Sequence, residues 1–153
     1  MQHLLEEIKG SSQAACDSLA GMLRPGVGYL VSRSVTSNNV EHLTEGVLHF
    51  VVSSLQLGGA TSVHELIRTT LDAVHAVSGS KAEQPAREVQ VAADILTELA
   101  ALPLRTRDVF YRCCSSGESD EEICSEMKLS PEEFRVLKAE GKAAIDRARK
   151  RKG

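Results

Sequence analysis

The residues with the most directed chemistry lie in the last third of the chain. Arg135, Lys138, Lys142 and Arg149 recur at helical spacing. At about 100° per residue they share one side of a helix, beside an apolar stripe of Phe134, Leu137, Gly141, Ile145 and Ala148. Glu133 and Glu140 fall nearly opposite the cations. Segregated cations of this kind suit a helix laid against phosphates, with Arg135 and Lys138 near enough to its N-terminus to reach base edges. The basic excess continues to the end of the chain as RARKRK over 147–152, which points to an anionic partner.

Other reactive side chains carry weaker signals. Cys16, Cys113, Cys114 and Cys124 show no CxxC spacing, and the five histidines show no HxxxH pair, so buried apolar thiols are expected rather than a zinc site. A redox pair among Cys113, Cys114 and Cys124 is the minor alternative. His42 and His49 share a helical face without an acidic companion at catalytic spacing, and are expected at the surface or its boundary. Gly-rich phosphate loops, GxSxG and HExxH are absent. Neither an enzyme nor a bound cofactor is expected.

The elements that must position these residues are helical. Apolar residues make up 42% of 153 residues and charged ones 25%, which excludes a disordered chain, and alternating strand patterns are missing. The expected fold is all-α: two small helical domains over 1–78 and 88–153, joined by a flexible linker over 79–87, where 78–87 reads SGSKAEQPAR. In the first domain, one helical stretch covers about 12–35, bent at Pro25 and Gly26. A second begins at Asn38 or Asn39 and turns Val40, Leu43, Val47, Phe50, Val51 and Leu55 inward before Gly58-Gly59. A third opens at Thr61 or Ser62, where Ser62 and Glu65 match a capping box, and buries Leu66, Ile67, Thr70, Leu71 and Val74.

The second domain is more densely punctuated. A helix from Glu88 to about Ala101 is followed by one over 105–114. Ser119 with Glu122 starts a short helix that turns Ile123, Cys124 and Met127 inward, and Ser130 with Glu133 starts the long one, with Pro131 at its first position. A short helix, a tight turn and a long capped helix form the helix-turn-helix layout. Charge follows the same division. Residues 1–100 hold 6 Lys/Arg against 11 Asp/Glu, whereas 101–153 hold 12 against 10.

The stretch ALPLRTRDVFYRCCSSGESDEEICSEMKLSPEEFRVLKAEGKAAIDRARK resembles the C-terminal domain of the extracytoplasmic-function (ECF) sigma factors of bacterial RNA polymerase. The family pattern LP-x-R-x-R-x-V-F falls on Leu102, Pro103, Arg105, Arg107, Val109 and Phe110. The pattern G-x-S-x-E-E-I-x-x-x-M-x-L-S falls on Gly117, Ser119, Glu121, Glu122, Ile123, Met127, Leu129 and Ser130. SNNVEHLTEGVLHFVVSSLQ is similar to the central helix of the family's first domain. VHELIRTTLDAV is similar to the helix after it, through Leu66, Arg68 and Thr69. His42 and Gly46 stand where acidic or polar residues are usual, and Asp72 and Ala73 where arginines are.

The resemblance implies a sigma factor that binds core RNA polymerase through Glu41, His42 and Glu45. It also implies reading of the -10 element by the first domain and of the -35 element of double-stranded promoter DNA by the second. Arg135, Lys138 and Lys142 would read bases, while Arg105, Arg107, Ser130 and Arg149 would complete the DNA contact. An anti-sigma factor is a further implied partner, and the free chain is expected to be a monomer. No apolar run approaches the roughly 20 residues of a membrane span, and the cysteine usage fits a reducing cytoplasm. The acidic first domain motivates a second expectation: a sigma-like interaction module that binds polymerase or an antagonist without melting DNA.

Overall fold

A computed structural model describes residues 2–9, 13–34, 39–58, 62–78 and 86–150. It contains helices α1 (Gln2–Lys9), α2 (Gln13–Ser34), α3 (Val40–Gln56), α4 (Val63–Ser78), α5 (Ala86–Ala100), α6 (Leu104–Ser115), α7 (Asp120–Met127) and α8 (Pro131–Lys150), with no strand among the described residues. The fold is all-α as expected.

Helix α2 is the central rod, packed against α1, α3, α4, α5 and α6. Leu19, Leu23, Val27 and Val31 recur every fourth residue and are fully buried. The helix stays helical from Gln13 to Ser34 through Pro25, the place where a bend was expected. An internal proline costs about 3 kcal/mol. Four buried side chains at about 1.5–3 kcal/mol each outweigh it.

Two further differences from the expected elements have the same origin in packing. Helix α1 had no sequence signal strong enough to announce it, because eight residues do not hold a helix alone. It exists because Leu5 and Ile8 enter the main core. In α3 the buried set is Val40, Thr44, Val47, Leu48, Val51 and Leu55. Phe50, expected inward, is 56% exposed at the edge of that stripe. It borders an apolar cleft with Val47, Ala73 and Val77 between α3 and α4.

The linker expected over 79–87 falls largely outside the described residues, but α5 already begins at Ala86, so Ala86 and Arg87 are helical. Alanine and arginine are among the better helix formers, which favours the earlier start. From α5 onward two small cores succeed one another. Ile95, Leu99, Phe110, Ala144, Ile145 and Ala148 form one, and Val109, Ile123, Leu129 and Phe134 the other.

The halves on either side of residues 79–85 share a packed seam. Leu96 of α5 belongs to the main core with α2, and Tyr29 of α2 packs on the Phe110 cluster. Gly26 and Gly28 make this approach feasible. A Cβ at Gly26 would lie 2.6 Å from Leu96 Cδ2, and one at Gly28 would lie 2.7 Å from the Tyr111 ring. Gly26, expected with Pro25 at a bend, and Gly28 let α5 and α6 lie close against α2.

Candidate nucleic-acid interface

Three helices build the basic face, and local chemistry fixes how they meet. The Ser119 hydroxyl accepts from the Glu122 backbone N–H at 3.2 Å while the Glu122 carboxylate accepts from the Ser119 backbone N–H. This capping box starts α7. Lys128 then adopts the left-handed conformation, with φ 55°, and its N–H donates to the Cys124 carbonyl. Ser130 repeats the device at α8, accepting from the Glu133 N–H at 3.1 Å and donating its own N–H to the Glu133 carboxylate at 3.4 Å. Ser130, expected to contact DNA, is thus engaged in closing the start of α8.

Helix α8 turns its apolar stripe inward and its cations outward. Phe134, Gly141, Ile145 and Ala148 are buried and Leu137 is half-buried, as expected. Arg135 and Lys142 are exposed, and with Lys138 they border an open groove of about 650 Å³ between α7 and α8. Lys138 crosses this groove to Asp120 at 3.6 Å and lies 5.7 Å from the centre of the Phe134 ring. Asp120 and Glu121 also line the groove, so its α8 wall is basic and its α7 wall acidic.

Glu140 sits on the far side. Its carboxylate accepts from the Thr106 hydroxyl at 3.0 Å, and Thr106 is fully buried on α6. The acid in the middle of the basic helix therefore docks α8 onto α6. Arg147, on the same side, reaches Glu98 of α5 at 3.2 Å.

The two arginines of α6 have different surroundings. Arg105 donates to the Met127 carbonyl at 3.1 Å and ties α6 to the last turn of α7. Arg107 has Nε and Nη1 buried without a hydrogen-bond partner. Arg149 lies at the other end of α8 and donates to the Tyr29 hydroxyl at 2.7 Å. Arg135, Lys138 and Lys142 are brought together by the groove, while Arg105, Arg107 and Arg149 lie around its supports. Residues 151–153 of the basic tail lie outside the described residues.

The second set, Glu41, His42 and Glu45, is exposed on α3. Glu45 takes two bonds from Arg24 of α2, at 2.8 and 3.3 Å. The Tyr111 hydroxyl of α6 is buried without a hydrogen-bond partner. Burial raises this phenol above its ordinary value, and the Glu45 and Glu41 charges add to the rise. The edge of α3 that carries these acids is thus within electrostatic reach of α6.

The thiols are set among packed side chains, and Cys16 Sγ accepts from Gln56 Nε2 at 3.5 Å. Cys16 is buried, and Cys113, Cys114 and Cys124 are half-buried. Burial pushes the Cys114 thiol up to about 12, with Cys113 adding to the shift, and burial also raises Cys113. Such groups stay protonated and are poor nucleophiles. No group of three metal-ligating side chains occurs among the described residues. Tyr29 was not singled out from the sequence, because nothing local marks a residue whose partners are four, 81 and 120 positions away. No protein-family model matches this sequence, and no curated protein is detectably similar to it. Among the described residues no helix is long and apolar enough to cross a membrane.

Proposed function

We propose that the chain is a transcription initiation factor of the ECF sigma type. It acts without covalent chemistry, binding core RNA polymerase through the Glu41, His42 and Glu45 edge of α3 and promoter DNA through α7 and α8 as a helix-turn-helix. The observation that carries this reading is the sorting of charge on α8. Arg135, Lys138 and Lys142 border an open groove, while Glu140 is turned away onto Thr106. Phosphates would be held by the cations and base edges read from the first two turns of α8, where Arg135 stands.

The packed seam favours a second reading. The -35 and -10 elements are about 25 base pairs apart by their positions, roughly 85 Å of duplex. A compact chain of 153 residues has a radius of gyration of about 15 Å. Engaging both elements requires α5 and α6 to part from α2. A chain that stays closed would act instead as a sigma-like interaction module, binding polymerase or an anti-sigma factor without melting DNA.

Run-off transcription with purified core polymerase and a library of promoter fragments separates the two. Specific transcripts establish the initiation factor and identify its promoter, whereas co-elution with core and no transcripts establishes the interaction module. On the promoter so found, Arg135→Ala is expected to weaken -35 binding by about 1–3 kcal/mol. Equal weakening on every sequence would make Arg135 a phosphate contact.

A further inference from the structure

One junction gathers like charges around a single acceptor. The Tyr29 ring, near the end of α2, lies 6.0 Å from the Phe110 ring of α6. The Tyr29 hydroxyl oxygen accepts from Arg33 Nη1 at 3.0 Å and from Arg149 Nη2 at 2.7 Å. The two donor nitrogens are therefore less than about 6 Å apart. Arg33 also lies over the Tyr29 ring, 5.6 Å from its centre. Among the described residues neither guanidinium has an ion pair, while Arg24, Arg112, Lys138 and Arg147 each do.

The same place is concave. An open cavity of about 360 Å³ is lined by Tyr29, with the edges of the buried Phe110 and Ile145, and by Lys138, Lys142 and Arg149. Asp146 also lines it, and Asp120 engages Lys138. With Arg33 the cations still exceed the carboxylates by two. Arg33 and Arg149 stand in the last turns of α2 and α8, whose C-terminal dipoles help to tolerate the pair but do not neutralise it.

We propose that Tyr29, Arg33, Lys142 and Arg149 form a phosphate-binding site across the seam between α2 and α8, whose ligand is a phosphorylated small molecule with a flat apolar part, a nucleotide in class. A phosphate accepting from both guanidiniums replaces their repulsion with charge-assisted hydrogen bonds. The flat part lies against Tyr29, in a cavity of the size that small ligands use. One guanidinium comes from each half of the chain, so the ligand holds the halves closed. It also takes Lys142 and Arg149 away from DNA. The site does not depend on the polymerase reading and is testable without it.

The experiment is calorimetric titration and thermal unfolding of the full chain with pyrophosphate, guanosine diphosphate and guanosine, each against sodium chloride at matched ionic strength. Wild type is compared with Arg33→Ala and Arg149→Ala, both exposed positions whose truncation leaves the cores intact. Pyrophosphate and the nucleotide are expected to bind and raise the midpoint, the nucleotide more tightly than pyrophosphate and guanosine least. Each variant is expected to bind pyrophosphate at least about ten-fold more weakly. Binding no stronger than the salt control, or a loss in only one variant, overturns the site. If pyrophosphate fails but a short duplex binds with a salt dependence that Arg33→Ala reduces, the phosphate belongs to the DNA backbone and the small ligand is overturned.

Discussion

Helices α7 and α8 each begin with a serine that accepts from the backbone three residues on, and each serine N–H is answered by a glutamate. Helix α3 begins at Asn39 without any side-chain cap and is held by a row of six buried residues instead. The C-terminal unit is thus specified by devices a few residues long, around a core of four buried side chains, Val109, Ile123, Leu129 and Phe134. The N-terminal bundle relies more on burial over long sequence distances, in a core that runs from Leu5 to Leu96, although α4 too is capped, Ser62 accepting from the Glu65 N–H at 3.2 Å. The difference teaches where each half is vulnerable: both through loss of volume, and the second, where α7 and α8 are both capped, through loss of a turn as well. The face that carries the cations is built on the turn-specified half.

The comparison can be broken most severely at its two cores. Leu66→Ala in the bundle and Ile123→Ala in the C-terminal unit each remove a fully buried side chain, and each is expected to cost about 3 kcal/mol. Thermal unfolding followed by calorimetry reads both. Because the halves share the seam at Gly26 and Gly28, one transition is expected to move in either variant. Two transitions, with only one shifted by each variant, would show that the halves unfold independently.

The seam itself is probed by Gly28→Leu, which sets a side chain against the Tyr111 ring. A loss of about 2 kcal/mol is expected from overpacking. An unchanged midpoint would mean that α6 is not held against α2 in solution. Cys114 sharpens the contrast through pH. Its folded thiol titrates at about 12 against an ordinary 9.0, so the folded state retains a proton that the unfolded chain releases. Stability from this group is whole below pH 9 and declines as pH rises toward 12, by at most about 1.4 kcal/mol per unit. Cys114→Ala should therefore lose less stability than wild type between pH 8 and 10, and parallel curves would contradict the burial of this thiol.

The smallest effect is expected at a cap. Ser119→Ala removes the acceptor for the Glu122 N–H and should cost about 1 kcal/mol. A midpoint left unchanged by Ser119→Ala would remove the part this turn plays in specifying the second half.

Where the amino-acid sequence spoke clearly, the determining interactions were short. The all-α class, the starts of α7 and α8 and the inward stripe of α8 follow from capping spacings and 3.6-residue periodicity, which need no knowledge of distant residues. The grouping of Arg135, Lys138 and Lys142 was legible for the same reason, since one helix carries all three. Tertiary structure alone decided the rest. Helix α1 and the unbroken α2 are held by burial against other helices, the outward place of Phe50 depends on which stripe of α3 met α2, and the docking of Glu140 needed Thr106 on another helix. The Tyr29 junction joins residues 120 positions apart. Periodicity tells which residues share a face; only the packed chain tells what that face meets.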